Sequence, residues 1–176
     1  MNIWSDLKQF LRLKGAGLLW MTLFCYGIGL GILAPMNSIY LSDGIGLNKV
    51  QIVSVFSLSL LLNMGITLAV GTMSDKLKSK KRLAMSAATL CMIGLFVYMR
   101  ADSYVSALIG MCIAVAPSGL IMGQLFAMSR NHFQRVAPVI VEMAQIWLRA
   151  GHSVGFFVGL LIGANVYLVT DFRGVL

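Results

Sequence analysis

Charge is scarce in this chain: Asp, Glu, Lys and Arg together make up 11% of its 176 residues, about half of what a soluble domain carries. Acidic residues are scarcer still, 6 against 14 Lys and Arg. With 59% of the residues hydrophobic, the composition places the chain in a membrane rather than in water. The three cysteines, Cys25, Cys91 and Cys112, are odd in number, lie in apolar runs and show no C-x-x-C spacing. That argues against a disulfide framework or a zinc site and leaves them as small apolar packing residues. No Ser/His/Asp or Cys/His arrangement, metal-ligand spacing, Gly-rich phosphate loop or base-stacking platform is visible, so the sequence points to no enzyme and no cofactor. A cleavable signal peptide is also missing, because the first hydrophobic stretch is too long and lacks a small-residue cleavage site.

What is present is a succession of long apolar runs. Five are predicted to span the bilayer, over residues 16–41, 50–72, 83–99, 103–128 and 138–165. Each is close to or above the roughly 17 to 25 residues a helix needs to cross the hydrocarbon. Ahead of them, residues 1–15 place Ile3, Trp4, Leu7, Phe10 and Leu11 at helical spacing with cations opposite. That is the pattern of a helix lying among lipid headgroups.

The net charge of +8 would suit nucleic acid if the cations covered a polar face. They sit instead in connectors between apolar runs, where anionic lipid and the insertion machinery read them. Lys8, Arg12, Lys14, Lys76, Lys78, Lys80, Lys81, Arg82, Arg130 and Arg135 fall on one side of the predicted spans, against Lys49, Arg100 and Arg173 on the other. Ten against three predicts a cytoplasmic N-terminus. After the fifth span a turn is expected over residues 169–174, and Gly174, Val175 and Leu176 stand where a sixth apolar run would open. The expectation is truncation before a sixth span; a five-span protein is the alternative.

Polar residues inside the spans carry the functional argument, since an ionisable group at bilayer depth costs about 2.5 to 3.5 kcal/mol even on lenient scales. Arg149 lies about eleven residues into the fifth span, on the order of 16 Å from its start and near the midplane. Glu142, Gln145, Arg149 and His152 are spaced three, four and three apart and so share about 80° of one helix face. Either Gln145 bridges Glu142 and Arg149 inside a packed bundle, or the stripe lines an aqueous cavity whose Arg149 and Gln145 donate hydrogen bonds to a solute. The same helix carries Gly151, Gly155, Gly159 and Gly163, a small-residue row suited to close helix packing. The row starts about 140° from the stripe's centre and turns about 40° toward it per step.

Other spans contribute single polar residues. Pro35 is expected to interrupt the first helix near Asn37 and Ser38, and Pro117 with Ser118 to break the fourth above Gln124. Asn63 and Thr67 share a face of the second. Asn37, Asn63 and Gln124 join the fifth-span stripe as candidate cavity residues, with interhelical hydrogen bonding as their other use.

Gly71-x-x-x-Asp75-Lys76, followed by Lys80-Lys81-Arg82 between the second and third spans, resembles the loop signature of the major facilitator superfamily. Lys78 and Ser79 stand where that signature has its second glycine and next basic residue. Gln124-Leu125-Phe126-Ala127-Met128-Ser129-Arg130, with Ala34-Pro35 and Leu148-Arg149-Ala150, is similar to the bacterial sugar efflux transporters within that superfamily. The likeness covers most of this chain but only the N-terminal half of a typical member, which has two six-span bundles.

The resemblance implies an all-α integral membrane fold, the N-terminal helix bundle of the major facilitator fold. It implies alternating access in an inner (cytoplasmic) membrane, with export of a sugar or sugar-like solute against protons. It assigns Gly71, Asp75, Lys76, Lys80, Lys81, Arg82 and Arg130 to a cytoplasmic gate, Arg149 to the central cavity and the glycine row to an exporter-type fifth helix. That helix lacks the usual Gly-Pro pair and has Phe156-Phe157 after Gly155. The expected partners are the bilayer, a small solute and a missing C-terminal half or partner membrane chain. Multidrug export and a non-transporting membrane interaction module are the alternatives.

Overall fold

The structure is a computed structural model that describes residues 3–74 and 80–175, with side chains at 4, 6–72 and 81–165. All regular structure among the described residues is helical. The elements are α1 (Ile3–Leu11), α2 (Ala16–Ile39), α3 (Lys49–Ser74), α4 (Lys80–Met99), α5 (Tyr104–Val115), α6 (Ser118–Val136) and α7 (Val141–Val175). A π-turn, Tyr40–Gly44, prolongs α2, and a 3-10 turn, Pro138–Ile140, precedes α7.

Five stretches are long and apolar enough to cross a bilayer: Ala16–Gly44, Lys49–Thr72, Lys81–Met99, Tyr104–Val136 and Pro138–Asn165. Helices suit that solvent because they satisfy every backbone polar group within the segment. Large apolar side chains lie exposed along them, among them Leu60, Leu61, Met92, Phe96 and Leu161. Surfaces of this kind match hydrocarbon, not water. The chain is an all-helical, multi-pass membrane protein.

Three expectations change. Pro35 does not interrupt its helix: α2 runs through it to Ile39, and the departure from α geometry comes later, at Tyr40–Gly44. Proline removes one donor, and in lipid the rest of the helix has no better alternative. The helix of the fourth span continues past residue 128: α6 runs to Val136, with Ser129 bonded by Gln145 and His132 bonded to Lys14 along its last turns. The turn expected over residues 169–174 is helix, part of α7.

By internal contacts the chain forms two compact units, Met1–Asn37 with Phe126–Leu176, and Ser38–Leu125. In the first, α2 and α7 lie side by side on glycine. A Cβ at Gly155 would overlap the Phe24 carbonyl oxygen, one at Gly159 the Ile28 carbonyl oxygen, and one at Gly163 would come within 3.2 Å of Ile32 Cα. Contacts that advance four residues on both helices mean that they run parallel. From the other side, Gly27 and Gly31 abut the backbone of His152 and Phe156. The seam is therefore glycine on both helices, which lets dispersion and backbone contact act at close range.

In the same unit, α1 folds back on the protein. Phe10 is fully buried, its ring 6.1 Å from that of Phe133 on α6. Gly15, at φ 84°, makes the turn into α2, and His132 Nε2 donates to the Lys14 carbonyl oxygen at 2.7 Å. Trp4 and Leu11 remain exposed, as a helix at the membrane boundary requires.

The second unit is built on α3, α4 and α5 around Leu41, Val55, Tyr98, Ala101, Ala107 and Met111. Gly94 meets Ala114 and Gly110 meets Tyr98, so α4 and α5 pack antiparallel. Ser54 bonds Tyr104 at 2.8 Å and Asn63 bonds Val115 at 2.7 Å, so α3 and α5 run parallel. Reciprocal caps start two of these helices. Asn48 and Gln51 exchange side-chain-to-backbone bonds of 2.9 and 3.0 Å at α3, and Ser103 and Ser106 do the same at α5. Tyr40 Oη donates toward the carbonyl oxygens of Tyr98 and Ala101 at 3.3 and 3.2 Å, closing the end of α4.

Candidate functional site

The stripe predicted on the fifth span lies on α7, and its four residues meet four different surroundings. Glu142, at the start of α7, pairs with Arg130 of α6 at 3.7 Å, and both side chains are open, at 83% and 59% exposure. One turn on, Gln145 is buried and its Nε2 donates to Ser129 Oγ at 3.1 Å. Ser129, fully buried, donates in turn to the Phe126 carbonyl oxygen at 2.9 Å. Gln145 therefore ties α7 to α6 and does not bridge Glu142 to Arg149. A buried amide needs partners, and Ser129 is the one within reach.

Arg149 follows and is exposed. Its guanidinium carbon lies 5.7 Å from the centre of the Phe126 ring, within cation–π range. Among the described residues no acceptor takes any of its five N–H groups, so they stay available to a hydroxyl-rich or anionic solute. His152 turns toward α2, where its ring lies 6.1 Å from that of Tyr26. Its Nε2 is buried and has no hydrogen-bond partner among the described residues.

The remaining cavity candidates are Asn63, Gln124 and Asn37. Asn63 is occupied elsewhere: its amide donates to the carbonyl oxygens of Val115 at 2.7 Å and Ala116 at 3.2 Å. These are the carbonyls left over where Pro117 ends α5, and Ser118 Oγ also donates to the first of them at 2.7 Å. A Cβ at Gly119 would overlap Thr67 Oγ1, so Asn63 and Thr67 together cover the α5–α6 break. Asn63 thus caps the end of α5. Gln124 belongs to the same unit as Asn63; it is buried, and its Oε1 has no partner among the described residues. Asn37 is half-buried near the end of α2.

Of the gate motif, Asp75 and Lys76 lie outside the described residues, as does the side chain of Lys80, whose backbone opens α4. Gly71 is on the last turns of α3, and Lys81 and Arg82 are exposed on the first turn of α4. Arg130 is the motif residue that meets the stripe, through Glu142.

Gly151, Gly155, Gly159 and Gly163 all face α2, with the Trp20 indole against Gly151. The row is covered by α2. Gly27 and Gly31, its counterparts, form a small-xxx-small pair in the first span, a signal weaker than the row of four. Ser129 and Phe126, which receive Gln145 and Arg149, sit inside the Gln124–Arg130 segment and carry no signal of their own. Among the described residues no three His, Cys, Asp or Glu side chains cluster as metal ligands would. No known protein family, curated protein or solved structure matches this chain.

Proposed function

We propose that the chain is the N-terminal portion of a major facilitator transporter that exports sugars or sugar-like solutes in exchange for protons by alternating access, and that it is inactive alone. The observation that carries this reading is Arg149: an ionisable group about 16 Å into its span, exposed, with an aromatic ring as its neighbour and its donors unspent. A guanidinium at that depth is tolerable where it borders water or a polar solute, and costly against hydrocarbon. Gln145, held by Ser129 one turn away, fixes the rotation of the helix that presents it. The excess of cations on the connectors of one side supports an inner-membrane orientation with the N-terminus in the cytoplasm.

The test places a cysteine at position 149 in a chain whose Cys25, Cys91 and Cys112 are replaced by serine, in native membranes. The expected result is labelling by a hydrophilic thiol reagent, slowed by a sugar substrate. Protection by a cationic drug but by no sugar would move the assignment to multidrug export. Inaccessibility from both faces would overturn the transport reading.

A further inference from the structure

In the first unit, α1 and the turn into α7 enclose an open cavity of about 650 Å³, lined by Lys8, Gln9, Arg12, Leu13, Ala137, Val139 and Ile140. Arg12 follows the last residue of α1 and its backbone N–H bonds the Lys8 carbonyl oxygen at 3.2 Å, so the two side chains stand one turn apart and their heads can close on one anion. None of the seven lining residues is acidic, and the nearest carboxylate on α7, Glu142, is engaged with Arg130. The other wall is apolar. Val139 is 95% exposed on the 3-10 turn, a valine that nothing among the described residues covers. The groove lies where two spans begin, Ala16–Gly44 and Pro138–Asn165, and hence at the boundary between headgroups and hydrocarbon.

We propose that this groove binds the headgroup of one anionic phospholipid. Lys8 and Arg12 hold the phosphate, Gln9 donates to the glycerol region, and the first methylenes of the acyl chains cover Leu13, Val139 and Ile140. Charge complementarity selects the anionic headgroup. The apolar wall selects a lipid over free phosphate, which would satisfy the cations and leave Val139 in the open. The bound lipid joins α1 to the α6–α7 turn and so adds to the packing of Phe10 on Phe133. This inference depends on the membrane assignment alone and stands or falls separately from the transport reading.

The test uses the full chain in detergent, with native mass spectrometry reading retention of phosphatidylglycerol, phosphatidylcholine or inorganic phosphate. Phosphatidylglycerol should be retained at least tenfold better than phosphatidylcholine. K8Q/R12Q should abolish that preference. K14Q/R135Q, which removes the same charge outside the lining, should keep it, and V139S should weaken it without removing it. Equal retention of the two lipids, or equal loss in both double variants, would overturn the proposal. Displacement of phosphatidylglycerol by millimolar inorganic phosphate, with V139S unchanged, would overturn it in favour of a simple anion site.

Discussion

Asn63 donates its side-chain amide to the Val115 carbonyl oxygen at 2.7 Å, joining the middle of α3 to the broken end of α5. The bond supplies a donor where Pro117 leaves the chain without one, and no water is at hand in a bilayer to substitute. Replacing Asn63 by Ala should destabilise the protein by about 1–2 kcal/mol, the upper range for interhelical hydrogen bonds in membranes. Asn63→Asp should be worse, since it turns an acceptor toward two acceptors. Reversible unfolding in mixed micelles would measure both, and an Asp variant as stable as wild type would refute the capping role.

The α2–α7 seam makes two glycines of one helix respond in opposite ways. Gly27→Ala places a methyl against the backbone of His152 and Phe156 and should cost about 1–3 kcal/mol. Gly29→Ala, with nothing within 4 Å of its Cβ, should be neutral or gain up to about 1 kcal/mol from helix propensity. Thermal denaturation of the two variants side by side decides this.

The Arg130–Glu142 pair should contribute little to stability. Both groups are open and 3.7 Å apart, so Glu142→Gln is expected to shift unfolding by no more than about 0.5 kcal/mol. A larger loss in the same micelle assay would mean that the pair sits in drier surroundings than its exposure indicates.

Accessibility along α7 should alternate sharply. Cysteines at positions 144 and 148, where Ala144 and Leu148 are fully buried, should resist hydrophilic thiol reagents, while a cysteine at 149 labels. Uniform labelling at all three positions would show that α7 does not pack as described.

The spans were legible because the bilayer imposes a length and a polarity that composition alone reports. Their ends were less so. Residues Ser129 to Arg135 read as a connector because they are polar, yet Ser129 answers Gln145 and His132 answers Lys14, contacts that a local window cannot register. The angular placement of Glu142, Gln145, Arg149 and His152 could be computed from spacing, but not the division of that stripe into an open ion pair, a buried amide and an exposed guanidinium. Which of these arises depends on what α6 and α2 present opposite. Asn63 and Pro117 were each visible as polar or irregular; their partnership across more than fifty positions has no local signature.

The parallel seam joins α2 to α7, far apart along the chain, which sets an order of assembly. On a ribosome, α2 enters the lipid long before α7 exists, and its Gly27 and Gly31 notch must stay vacant while more than a hundred residues are made. A contact so distant along the chain forms late and slowly. Until α7 emerges, the notch invites any passing transmembrane segment with small residues, so nascent chains stalled before Gly151 should be those most prone to mispairing and to capture by membrane quality control.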